Sequence, residues 1–218
     1  KSYKSWSRIH KTLLKQVDSI DDENMLSTHE RENWMDWRDI IALRNKITDK
    51  RDMALFDLYT HIPRRLDYAR LLRVVKGGGM TQAQARKLPA DSNYIYLDKK
   101  GVPKFIILNA YKTSKSYGQY IMKNLSEKLK VSMKNWIDQS DFRDGDFVFG
   151  KTEDEPYESF TLLTELFERV TGKSISVNIL RHSYISHLFE KRLTLKEIKA
   201  HAKSLGHSVD LFLKYRRV

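Results

Sequence analysis

The feature that most constrains the fold is a change of hydrophobic period partway along the chain. Through most of the sequence, apolar residues recur at helical spacing, but between residues 93 and 122 they form short runs bounded by turn residues. There "NYIYLD" and "KFIILNAY" read as two strands joined around "KKGVP". "YGQYIM" reads as a third strand after the turn "KTSKS". The rest is helical. "STHE" (Ser27 to Glu30) has the form of a capping box, and Trp34, Trp37 and Ile41 continue the buried face of the helix it opens. "DMALFDLYTHI" keeps Leu55, Leu58, Tyr59 and Ile62 in register, and Pro63 ends that helix and begins the next, "RRLDYARLLRV". Further helices are expected over 125–137, over "TLLTELFERVTG" with Gly172 closing it, and from the capping box "TLKE" to Gly206. "KGGGMT" reads as a loop and "FVFG" as a short extended piece. The expectation is an α+β chain, mainly α with one small antiparallel sheet.

A chain of 218 residues suits one large domain or one and a half small ones, and buries a core without staples. Its 40 Lys and Arg outnumber 28 Asp and Glu, for a formal charge of +12 spread along the sequence. A folded body with a basic face attracts polyanions, and nucleic acid is the leading candidate. There is no cysteine, which removes disulfides, zinc–thiolate sites and cysteine nucleophiles and fits an intracellular protein. No apolar run approaches a membrane span and no signal peptide opens the sequence, so no membrane partner is expected. The first residue is Lys1 rather than Met, and residues 1–22 carry Trp6, Ile9, Leu13, Leu14 and Val17 among lysines at helical spacing. Residues 1–25 are therefore expected to be a linker or the end of an upstream domain.

Several familiar sites are absent. "GKS" at 172–174 lacks the upstream glycine of a phosphate-cradling loop, and neither HExxH nor GxSxG occurs. What remains is a set of cations and a tyrosine. Arg64 and Asp67 are three residues apart on one helix face. Lys112 lies in the turn after the second strand, with Lys115 as its rival. Asn178, Arg181 and His182 share one side of a helix whose other side carries Val177, Leu180, Tyr184 and Leu188. His207 follows a helix end at Gly206, and Tyr215 lies eight residues further on. Taken singly, each has an ordinary explanation: a solvated cation, a turn lysine, a capping histidine, a packing tyrosine.

In this order they resemble the catalytic domain of the tyrosine recombinases, the phage-integrase family. "LYTHIPRRLDYARLL" resembles the family's first arginine box, and "FIILNAYKTSKSYGQY" its hairpin with the catalytic lysine. "VNILRHSYISHLF" resembles the second box, and "LGHSVDLFLKYRR" the third, with the nucleophile. The likeness spans about residues 26–218, and the "PRRLDY" string is similar to integrases of large DNA viruses and mobile elements. Three departures stand out. Asn178 occupies the place of the usual histidine, the step from His207 to Tyr215 is one residue short, and Arg65 competes with Arg64.

The resemblance implies a catalytic domain over 26–218 with a core-binding domain upstream, double-stranded DNA as substrate, and self-association on paired sites as a synaptic tetramer. It implies that Arg64 and Arg181 clamp the scissile phosphate with Asp67 in support, and that Lys112 is the general acid. His207 and Asn178 would assist, and Tyr215 would attack to form a 3′-phosphotyrosyl link. The residue types suit this chemistry. Two arginines fork onto a phosphate and take the place of metal ions, so no cofactor or metal is expected. A tyrosine hydroxyl, with an ordinary pKa of about 10, needs a cationic pocket to react. Two alternatives stay open: DNA relaxation of the type IB topoisomerase kind, and a catalytically silent DNA-binding module. The apolar face of "SVDLFLKY" is thin (Val209, Phe212, Leu213), which predicts weak docking of Tyr215 and its displacement from the arginines when DNA is absent.

Overall fold

The computed structural model describes residues 25–77 and 80–217; the helical spacing read over 1–22, and the middle of the "KGGGMT" loop, lie outside them. The chain begins with α1 (Thr28–Asn33), closed at its start by the reciprocal Ser27–Glu30 capping box. The single helix expected from Ser27 through Ile41 is two. Trp34 and Asp36 adopt extended backbone, and α2 (Trp37–Ala42) starts afresh. Tertiary contacts hold this break. Lys173 Nζ donates to the Trp34 carbonyl at 2.7 Å, and the Ser174 N–H donates to Asn33 Oδ1 at 2.7 Å.

Helix α3 (Lys50–His61) is capped by Asp49 and buries Leu55, Leu58 and Tyr59, the residues its periodicity selects. After Pro63 the expected long helix is only α4 (Asp67–Arg70), and the chain turns directly into strand β1 (Leu72–Lys76). The helical reading of "RLLRV" fails because a partner remote in sequence claims these residues. β1 pairs in parallel with β2 (Asn93–Leu97), Leu72 opposite Asn93 and Lys76 opposite Leu97. Its other edge is taken by residues near 147: Val148 N–H donates to Leu72 O at 2.8 Å and Val74 N–H to Asp146 O at 2.9 Å. Between the two strands lies the short α5 (Gln82–Ala85).

The hairpin of β2 with β3 (Pro103–Leu108) is antiparallel, as its sequence pattern indicates. A turn carrying α6 (Ser114–Tyr117) leads to β4 (Tyr120–Met122), which pairs antiparallel with β3. The four strands lie in the order β1-β2-β3-β4, so the sheet is mixed rather than wholly antiparallel. Strand alternation sorts its faces. Ile95, Leu97, Ile106 and Leu108 enter the main core, while Tyr94, Tyr96 and Ile107 pack on the other side with Val75 and Ala85.

Helices α7 (Glu127–Ser140) and α8 (Leu162–Thr171) cover the main core with Leu129, Met133, Leu163 and Phe167. Gly172, in the left-handed region at φ 73°, ends α8. Helix α9 (Val177–Phe189) is capped by Ser176, α10 (Leu195–Leu205) by the Thr194–Glu197 box, and α11 (Val209–Lys214) by Ser208. Ile185, Ala202, Leu205 and Phe212 form a separate cluster that ties these three helices together. Phe212 is fully buried, so α11 is docked, contrary to the weak seating its thin apolar face suggests. Among the described residues, no helix is long and apolar enough to cross a membrane. The architecture is α+β, about half helical, with the helices gathered around one small sheet.

Candidate active site

Helix α9 is buried on almost every side, which forces polar residues into the interior. Arg181 is 0% exposed, yet Nε, Nη1 and Nη2 find no hydrogen-bond partner among the described residues. Its Cζ lies 5.1 Å from the centre of the Tyr215 ring. Burial draws its pKa from 12.5 down to about 10; the phenol of Tyr215 opposes this shift, while Arg65 and Arg64 add to it. A buried guanidinium with five donors and no acceptor among the described residues is costly to maintain.

Arg64 arrives from the connection between α3 and α4, where Pro63 prevents α3 from continuing. Its guanidinium sits between two phenol rings, Cζ at 4.9 Å from the centres of both Tyr111 and Tyr120. Nη1 has no partner among the described residues. Burial lowers its pKa, against the pull of Tyr68, Tyr111 and Tyr120. Gly206, at φ 72°, allows the approach: a Cβ there would stand 2.9 Å from Arg64 Nη2. A small cleft beside it is lined by Arg64, Arg65, Tyr111, Thr113 and Gly206.

His207 follows Gly206 and is 3% exposed, with both ring nitrogens unpartnered among the described residues. Burial first, then Arg181, Arg65, Arg64 and His182, push its pKa to about 2. It is therefore neutral at pH 7 and offers one donor and one acceptor. Tyr215, at the C-cap of α11, lies between two imidazoles. The ring of His182 stacks on it at 4.3 Å and 4°, and His207 meets it edge-on at 4.7 Å. His182 Nδ1 is 2.9 Å from the Tyr215 carbonyl; because a carbonyl only accepts, Nδ1 carries the proton. Burial, then Arg217, lowers the His182 pKa to about 4.

Of the residues singled out in the sequence, Arg64, Arg181, His207 and Tyr215 thus converge. Tyr215 is not displaced: it rests against Arg181 and both histidines. Lys112 is exposed on the β3–β4 turn, between two residues that do reach the cluster. Tyr111 flanks Arg64, and Thr113 Oγ1 donates to the Gly206 carbonyl at 3.0 Å. Lys115 is exposed in α6. Asn178 is exposed on the first turn of α9, one turn before Arg181. Asp67 does not pair with Arg64; its carboxylate lies 3.8 Å from Arg70, because the short α4 places those two on one face. Of the two adjacent arginines, Arg64 is the buried one, while the half-buried Arg65 is near enough to depress the pKa of Arg181 and His207. His182 had only its neighbour Arg181 to draw attention to it. Among the described residues, no group of three His, Cys, Asp or Glu is arranged to hold a metal ion.

This α+β arrangement, with Arg64 on the connection after α3, Arg181 inside α9 and Tyr215 at the C-cap of α11, is similar in fold to a solved recombinase. One of the solved structures it is similar to is the crystal structure of XerA recombinase, with a TM-score of 0.54 and 15% sequence identity over 89% of this chain. The chain spans 58% of the length of that structure. No family model and no curated protein matches the sequence.

Proposed function

We propose that this chain cleaves and rejoins DNA strands through a 3′-phosphotyrosyl intermediate, as the catalytic domain of a site-specific recombinase or integrase. The observation that carries the reading is the buried donor set beside the ring of Tyr215: all three guanidinium nitrogens of Arg181, and Nη1 of Arg64, find no acceptor among the described residues. A phosphodiester supplies the missing acceptors, and its negative charge relieves the mutual repulsion of the arginines. The recombinase-like fold is consistent with this chemistry.

In the proposed reaction the Tyr215 hydroxyl loses its proton to solvent as its oxygen attacks phosphorus, while Arg64 and Arg181 hold the non-bridging oxygens. The bond from phosphorus to the 5′-oxygen breaks, and Lys112 gives that oxygen a proton. Attack by a 5′-hydroxyl on the phosphotyrosyl ester reverses each step and conserves the bond, so rejoining needs no nucleotide. His207, neutral at the start, hydrogen-bonds the phosphate, and Asn178 contacts the DNA backbone from its exposed position. Double-stranded DNA is the partner, with further copies of the chain on paired sites.

The test is a pool of duplexes nicked at one position and randomised around it, so that a cleaved fragment diffuses away and leaves the protein attached. A covalent adduct with the parent chain, absent in Arg181→Ala, supports the reading. Binding without any adduct sinks it in favour of a silent DNA-binding module. Exchange of strands between two sites separates recombination from simple relaxation.

A further inference from the structure

The segment that follows Tyr215 is anchored more thoroughly than a short final helix requires. Ser186 Oγ accepts from the Arg217 N–H at 2.8 Å and lies 3.2 Å from the Arg217 carbonyl, to which it donates. One turn earlier on α9, His182 Nδ1–H donates to the Tyr215 carbonyl. From the far end of the chain, Glu30 Oε1 stands 3.7 Å from Arg217 Nη2 and 3.5 Å from His182 Nε2. The pair of Glu30 with Arg217 is not a surface pair: the Glu30, His182 and Arg217 side chains are 14%, 7% and 5% exposed, and His182 Nε2, without a proton while Nδ1 donates, lies beside the carboxylate and is not bonded to it. Arg217 Nη1 also donates to the Lys214 carbonyl at 2.7 Å, which closes the end of α11.

We propose that Glu30, His182 and Ser186 form a latch on residues 215–217, and that they are positioning residues for Tyr215. The proposal rests on the reading of Tyr215 as nucleophile. The ring contacts of Tyr215 with His182, His207 and Arg181 constrain its plane, but stacking leaves a ring free to slide. The backbone anchors remove that freedom. His182 holds both the ring and the carbonyl of the same residue, and Ser186 pins the residue two positions on. Glu30 joins the latch to α1. Its Oε2 accepts from the Ser27 N–H at 2.9 Å, so one carboxylate both caps α1 and holds Arg217. Seating of α1 and seating of the tyrosine are therefore one event.

Two substitutions separate this role from folding. Glu30→Gln keeps an oxygen for the Ser27 N–H, because a capping box accepts glutamine, but removes the charge facing Arg217 and His182. Ser186→Ala removes both bonds to Arg217. The parent and both variants carry 3-fluorotyrosine, with the Tyr215 signal assigned by its loss in Tyr215→Phe. In each variant the Tyr215 fluorine resonance is expected to shift and broaden, with DNA affinity unchanged. Adduct formation in a single turnover on the nicked duplex pool is expected to fall about 10-fold or more, as small misplacements of reacting groups do. A parental fluorine signal overturns the latch. So does a displaced Tyr215 that still reacts at the parental rate, or a loss of DNA binding that matches the loss of cleavage. If the parent chain itself forms no adduct, the nucleophile reading fails, while the fluorine signals still decide whether the latch holds Tyr215.

Discussion

Replacing Arg181 by methionine is expected to stabilise the protein while destroying its chemistry. Arg181 is fully buried and its three guanidinium nitrogens lack acceptors among the described residues. Its pKa falls from 12.5 to about 10, chiefly through burial, with Arg65 and Arg64 adding to the shift. A shift of that size corresponds to about 3 kcal/mol against the charged form in the folded state. The face of Tyr215, 5.1 Å from Cζ, returns about 1 kcal/mol of that. Methionine fills much of the same space with no charge and no unmet donors, and buried charges replaced in this way often leave a protein more stable. The net expectation is a gain of about 1–2 kcal/mol, which raises Tm by roughly 2–8 °C in a chain of this size. Urea denaturation followed by circular dichroism gives the free energy. Orthovanadate, a phosphate analogue, should raise the Tm of the parent and leave Arg181→Met unmoved. A variant that is less stable than the parent by more than about 1 kcal/mol would refute the reasoning, because the guanidinium would then be a brace for the fold.

Acid should unfold the protein early. His182 and His207 are held neutral, with pKa values lowered to about 4 and about 2, so the unfolded chain takes up protons near pH 6.5 that the folded chain refuses. Stability is full above that pH and falls below it by about 2.7 kcal/mol per unit while both sites differ. Urea melts between pH 6.5 and 5 read the slope, to which His61 and His201, also lowered by burial, add; His207→Gln should take away about 1.4 kcal/mol per unit. Gly206→Ala should lower stability by about 1–2 kcal/mol, since φ 72° disfavours a side chain and the new Cβ meets Arg64 Nη2 at 2.9 Å. The same variant should weaken vanadate binding, and parental stability would show that the loop relaxes freely. DNA binding should weaken about 10³-fold from 50 to 200 mM salt if six or more phosphates are contacted; a flat titration contradicts the role given to the +12 charge.

The parts legible in the sequence are those fixed by neighbours along the chain. The Ser27–Glu30 and Thr194–Glu197 boxes, the stop at Gly172 and the β2–β3 hairpin all depend on residues a few positions apart. Strand β1 was hidden because its parallel partner lies some twenty residues on, and "RLLRV" satisfies a helical period equally well. The break at Trp34 was hidden because Lys173 and Ser174 hold it from the other end of the chain. For the site, motif order picked out Arg64, Arg181, His207 and Tyr215, which the fold gathers together; their chemical roles rest on the proposal. The stack of His182 on Tyr215 and the cradle of Tyr111 and Tyr120 around Arg64 were not legible, because aromatic packing between distant segments leaves no local periodicity. The sequence spacing leaves Asp67 either beside Arg64 or paired with another cation, and the short α4 places it with Arg70.

The most direct test of the central claim is to find which atom of the protein becomes joined to DNA. The parent chain is reacted with the nicked duplex pool, digested with protease and nuclease, and the modified peptide is sequenced by mass spectrometry. The account predicts one nucleotide-bearing peptide, modified at Tyr215, and none from Tyr215→Phe. A modification on any other residue, such as the nearby Tyr111, or an adduct that persists in Tyr215→Phe, would contradict it.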